Sequence, residues 1–235
     1  MATAAPARRK AEVPPEAKSQ PSVVETVVEA IREDIKTGRL APAQRLIESD
    51  LCESLGASRT SIREAIGRLE AEGLLEVEHQ RGARVRRLTA DDARELYQVR
   101  EALEGAAARL AAQNIDKADY KARLRSLEKN FKASADAWSP SIYLQYNEEF
   151  HQLIVKMSEN ERLVRMVDQL QHAAYLMLQQ VVSNVAATKK AHDEHEVILA
   201  AILNGDGARA ERAMRDHIRR TGNDVQVRMS QLRRP

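Results

Sequence analysis

Hydrophobic residues recur along this chain with two different periods, and the switch between them divides it. The stretch SVVETVVEAIREDIKTG puts Val24, Val27, Val28, Ile31 and Ile35 on one stripe. That is the i, i+3, i+4, i+7 spacing of an amphipathic helix, and Gly38 supplies its stop. RLAPAQRLIE follows as a loop or short extended piece. SDLCESLG predicts a short helix capped by Ser49, with Leu51 and Leu55 inward and Gly56 at its end. SRTSIREAIGRLE predicts a third, with Ile62, Ala65, Ile66 and Leu69 as its stripe. Thr60 or Ser61 can cap it, and Ser61 with Glu64 has capping-box spacing. The period then drops to two: Leu75 and Val77 alternate against Ala83 and Val85, with His79-Gln80-Arg81-Gly82 between them. That reads as a β-hairpin. Three helices and a hairpin over residues 22–88 spell a winged helix-turn-helix.

From Thr89 onward the period stays helical. A Thr cap and first-turn acids open a long helix whose Gly105, Ala106, Ala107, Ala108, Ala111 and Ala112 let neighbours approach closely. Further helical patterns cover roughly 117–136, 139–157, 160–185, 188–204 and 207–231, with Asn204-Gly205-Asp206-Gly207 as a break. Six helices over residues 89–235 predict an antiparallel bundle. The fold class is therefore mainly α: a winged helix-turn-helix followed by an all-helical domain.

Composition agrees. The chain has 235 residues, 43% hydrophobic, 3% aromatic and 31% charged, which favours aliphatic helical cores. Net charge is only +2, so a case for nucleic acid must rest on local clusters. A single cysteine, Cys52, excludes an internal disulfide framework and points to a reducing cytoplasm. No apolar run reaches the length of a membrane span. Residues 1–21 carry Arg8, Arg9 and Lys10 among prolines and read as a disordered tail rather than a transit peptide.

The third helix holds the first candidate chemistry. Arg59, Thr60 and Arg63 share its polar side, with Gly67 one turn on. Arginine pairs with guanine O6 and N7, and hydroxyls or N–H groups at a helix start suit phosphate. The bland alternatives are a solvated face for the arginines and helix packing for Gly67. The combination of helix-turn-helix spacing, an Arg-Thr-Arg face and a following hairpin favours DNA. The run GASRTSIREAIGRLEAEGLLEVEHQRGARV closely resembles the winged-helix half of GntR-type bacterial regulators, and the remainder resembles the FCD ligand-sensing domain of their FadR-like subgroup. The resemblance implies operator contacts at Ser58, Arg59, Thr60, Arg63, Arg81 and Gly82. Three positions depart from the pattern: Ser61 replaces a usual Pro, Ala43 a frequent Gly, and Ser49 a frequent charged residue.

The second candidate chemistry is histidine. Asn147 and His151 stand four apart on one helix face, while His195 and His217 point coreward from two others. Taken singly, each reads as a hydrogen-bonded core histidine; together, three from separate helices can meet around a cation. No short-spaced metal signature such as HExxH is present. The FCD resemblance implies that Asn147, His151, His195 and His217 are the metal ligands, and that His172 and His192 are surface or structural. Such a donor set suits Zn²⁺ or Ni²⁺ first, with Fe, Co or Mn admissible. Arg100 matches a family arginine that clamps an effector carboxylate; a surface salt bridge to Glu104 is its alternative. The expectation is a homodimeric regulator, a repressor rather than an activator, that binds palindromic operator DNA and responds to a small organic acid. The rivals are a helical metalloenzyme with an accessory DNA-binding domain, and an architectural DNA-binding protein.

Overall fold

A computed structural model describes residues 21–78, 82–133, 139–179 and 185–231. The expected tail, apart from Pro21, and the wing-tip residue Arg81 lie outside them. The first hydrophobic cluster is built by α1 (Val23–Lys36), α2 (Glu48–Leu55), α3 (Arg59–Ala71) and a three-stranded sheet of β1 (Arg45–Leu46), β2 (Leu75–Glu78) and β3 (Gly82–Val85). The α1 stripe is buried at Val27, Val28, Ile31 and Ile35, and Ser22 closes a capping box with Glu25. In the sheet β3 lies between β1 and β2, antiparallel to both. Leu75 faces Val85 and Val77 faces Ala83, the pairing expected from the alternation.

Two caps differ from expectation. The α2 helix starts at Glu48 after Ile47, so Ser49 lies inside its first turn and makes no cap. For α3 the cap is Ser58, whose hydroxyl accepts from the Ser61 amide at 3.1 Å. Gly56 adopts φ 61° at the end of α2, and that left-handed turn brings Ser58 to its place so soon after α2. Ala43 is also left-handed at φ 68°, held by its N–H, which donates to the Val85 carbonyl at 2.9 Å. A Cβ is strained there, which explains the frequent glycine of the resembling sequences.

The second cluster comprises α4 (Ala90–Gln113), α5 (Tyr120–Ala133), α6 (Pro140–Met157), α7 (Glu161–Gln179), α8 (Val185–Leu203) and α9 (Gly207–Gln231). Thr89 caps α4 in a capping box with Asp92. The expected start of α5 was three residues earlier; Ala118 turns left-handed (φ 45°) and delays it to Tyr120. Ala107, Ala108, Ala111 and Ala112 are buried, as the small-residue stripe required. A close approach is at Gly222 of α9, where a Cβ would stand 2.6 Å from the Tyr97 Cβ of α4. Among the described residues no helix is long and apolar enough to cross a membrane.

Candidate functional site

The winged-helix face is open. Ser58, Arg59, Thr60 and Gly67 are all exposed, and among the described residues a Cβ built on Gly67 meets nothing within 4 Å. Packing inside the protein therefore does not explain that glycine. Arg63 is 68% exposed and its Nε donates to Glu48 at 2.9 and 3.1 Å. A pair this wet is weak and exchangeable. At the wing, Gly82 is exposed with φ 81° and pairs with Glu78, which sets where the tip begins.

The helical half does the opposite and gathers its chemistry inside. His151 from α6, His195 from α8 and His217 from α9 are all buried, and one ring nitrogen from each lies within 4.8 Å of the others. The Nε2 atoms of His195 and His217 are 3.2 Å apart. Two carboxylates stand behind the rings: Glu104 holds His151 Nδ1 at 2.6 Å, and Glu194 holds His217 Nδ1 at 2.8 Å. A carboxylate on Nδ1 fixes the proton there and turns the Nε2 lone pair toward the centre, the usual support of a metal-ligating imidazole. Burial lowers the His217 pKa to about 4, helped by His151 and Arg220 and opposed by Glu194. Burial also drives His195 well below its ordinary value, with His217 and His151 adding to the effect. Both rings are thus neutral at neutral pH, as ligation requires. Among the described residues the buried His195 Nδ1 has no hydrogen-bond partner. Three buried imidazoles converging on one centre fit a divalent cation.

Arg100 was expected either to clamp an effector or to form a surface salt bridge. It forms a salt bridge, but a buried one: its Nε donates to Glu104 at 2.7 Å, with side chains 9% and 0% exposed. Burial alone would raise the Glu104 carboxyl; Arg100 and His151 outweigh it and hold the pKa at about 2. One carboxylate therefore joins Arg100 to His151. Arg100, Asn147 and His151 also line a shared recess of about 30 Å³, together with Glu148, Gln171, Ala174, Tyr175 and Leu178. Asn147 Oδ1 accepts from the Tyr143 hydroxyl at 3.4 Å. The other described histidines stand apart from the centre: His192 lies against Phe131, ring centroids 4.6 Å apart and tilted by 39°, and His172 is half-buried on α7.

Sequence reasoning treated Glu104 only as a partner for Arg100, and missed Gln171 and Tyr175. Glu104 carried a signal: an acid in an inward stripe of alanines four and seven residues before Ala108 and Ala111 has to be paired. Gln171 and Tyr175 carried none, because which face of α7 lines the recess depends on how α6 and α4 pack against it.

A winged helix-turn-helix joined to a helical bundle with a buried, ion-sized donor cluster defines a DNA-binding regulator with a sensing half. Residues 23–85 match the family model "Bacterial regulatory proteins, gntR family" and residues 95–220 match the FCD domain. The chain belongs to the GntR family of bacterial transcription regulators and carries an FCD domain. A "Probable D-xylose utilization operon transcriptional repressor" of Paenarthrobacter nicotinovorans is 32% identical over 197 residues, which cover 82% of this chain and 86% of that protein. The "Glc operon transcriptional activator" of Escherichia coli strain K12 is 32% identical over 219 residues, covering 84% and 86%. The structure of E. coli McbR/YncC shares the fold, with a TM-score of 0.72 at 22% identity over 91% of this chain and all of that one. These relatives and families are regulators, and the chain is a transcription regulator rather than an enzyme.

Proposed function

We propose that this regulator is a homodimeric repressor whose helical half senses a small organic acid at a metal-centred pocket. Residues 22–88 form the DNA reader and residues 89–235 the sensing and dimerising domain. Ser58, Arg59, Thr60 and Arg63 enter the major groove, and the wing at Arg81 and Gly82 reaches the adjacent backbone or minor groove. A second copy is favoured by the apolar stripe of α4, where Val99 is 49% exposed beside half-buried Leu103 and Ala106. Two-fold symmetry then sets recognition helices roughly 34 Å apart, one helical turn of DNA.

The observation that carries the sensing role is the buried triad His151, His195 and His217, with Asn147 and Arg100 on the recess beside it. His151, His195, His217 and the Asn147 amide oxygen would hold Zn²⁺ or Ni²⁺. A bound divalent ion would supply a Lewis-acidic anchor for a carboxylate. Because the four ligands would be neutral, and Glu104 and Glu194 behind the rings are themselves paired with Arg100 and Arg220, the charge of the ion stays uncompensated, which favours an anionic guest. Arg100 gives that guest a second hold. The guest shifts DNA binding only by its difference in affinity for the two arrangements of the dimer.

The test uses purified full-length protein. Metal content is measured first, then the melting temperature with glycolate, lactate, malonate, succinate and citrate, then affinity for an operator selected from random duplexes. Expected results are bound metal, a raised melting temperature with at least one acid, and weaker operator binding in its presence. No metal uptake, or no response to any acid, overturns the reading; turnover of an acid would support the rival metalloenzyme. Asn147→Asp should increase metal retention, and unchanged retention removes Asn147 from the ligand set.

A further inference from the structure

One helix of the sensing half meets the winged helix directly. Along α7, Gln171, Ala174, Tyr175 and Leu178 recur at helical spacing and line the Arg100–His151 recess. The adjacent face, at His172 and Leu176, belongs to the other half of the molecule. Leu176 packs into the winged-helix hydrophobic cluster beside α1 residues. His172 lies in the field of Arg32 and Lys36, both on α1. Between these faces stands Tyr175. Its ring forms part of the recess wall and also receives the Lys36 ammonium, 4.5 Å from its centroid. Among the described residues Lys36 has no carboxylate in ion-pairing reach, so the ring is the partner that the structure gives it.

We infer that Tyr175 is the positioning residue through which occupancy of the recess sets the placement of α1, and with it the winged helix. The inference rests on the pocket reading above. The recess is narrow, about 30 Å³, so an organic acid seated against Arg100 and His151 comes into contact with the rest of its wall. Of that wall, Arg100 is tied into the buried pair with Glu104, and His151 is tied to the same carboxylate. Tyr175 is half-buried. Its displacement breaks or re-aims the contact with Lys36, a cation–π attraction that depends on the ammonium lying over the ring face. Space to respond exists: Ile35, Lys36, Leu88, Leu176, Met177 and Met229 line a cleft of about 610 Å³ between the two halves. The contact is a small bias on a two-position arrangement, which is what a coupling between distant sites needs.

The experiment is hydrogen exchange, followed by mass spectrometry, on the zinc-loaded full chain with and without the acid of the series above that raises the melting temperature most. In the wild type the acid should change exchange in residues 33–38, at the end of α1, by about threefold, the scale of one exposed cation–π contact. Tyr175→Phe keeps a ring face and should respond as the wild type does. Lys36→Met leaves the recess untouched, so it should keep the full acid-induced rise in melting temperature and lose the exchange change at 33–38. Tyr175→Leu should lose that change too. An unaltered exchange response in Lys36→Met overturns the inference while leaving the pocket reading intact. If no acid raises the wild-type melting temperature, the pocket reading fails, and this inference fails with it.

Discussion

The two candidate sites, one in each half of the chain, treat charge in opposite ways. In the winged helix, Arg63 and Glu48 meet with side chains 68% and 34% exposed. In the helical half, Arg100 and Glu104 meet with 9% and 0% exposed, and the same carboxylate grips a buried histidine. An exposed pair contributes roughly 0–1 kcal/mol and is readily exchanged for another partner. A buried one offsets a large desolvation cost only while every member stays satisfied. Exposure is thus what a surface needs if it is to trade Glu48 for a base edge. Burial is what a site needs if its donors are to wait, oriented, for an ion. The contrast also shows why the same residue types mean different things in the two places.

The sharpest way to break the comparison is to neutralise the buried carboxylate. Glu104→Gln leaves Arg100 without its charge partner and His151 without its anionic support. Metal retention should fall about 10–100-fold, measured by competition with a chelator. Stability should drop by about 3–5 kcal/mol in denaturant titration. A Gln variant as stable and as metal-retentive as the parent would place the burial contrast in error.

On the exposed side the expected cost is smaller and lies in recognition. Arg63→Ala should cost roughly 1–3 kcal/mol at one base position of the operator and leave the melting temperature nearly unchanged. Equal affinity of the parent for operator and scrambled duplex would remove Arg63 from base readout. Ala43→Gly, in the same half, should instead stabilise by about 1 kcal/mol, because it relieves a left-handed alanine at some entropic cost. Equilibrium unfolding reads that directly, and a destabilised variant would mean the turn is not strained.

A pH-dependent effect sits where the halves meet. Burial lowers the His172 pKa from 6.5 to about 4, and Arg32 and Lys36 add to it. A histidine with a depressed folded-state pKa contributes its full stability above the unfolded value and loses it as pH falls toward the folded one. Between pH 6.5 and about 4 the parent should therefore lose melting temperature faster than His172→Gln does. Parallel pH profiles would show that the ring stays solvated at that junction.

Much of this molecule was legible before any coordinates. The period-two switch at Leu75 marked the wing, and its register followed from which residues alternate. The stripe at Val27, Val28, Ile31 and Ile35 marked α1, and the small-residue run marked a helix that others approach closely. Helix ends were less legible. Ser49, Ser58, Thr60 and Ser61 all have capping chemistry, and only the path of the chain through Gly56 selects Ser58.

The sequence by itself determined the order of elements, the inward faces and the residue types available, because helical and strand periods are local properties of a chain. Tertiary structure alone decided that His151, His195 and His217 share one centre, that Glu104 serves two partners, and that Tyr175 touches both halves. Those facts depend on how rods from distant parts of the chain cross and rotate against one another. Side-chain volumes at the crossings set that geometry, as where Gly222 lets α9 settle onto Tyr97, and no window along the sequence contains both sides of a crossing.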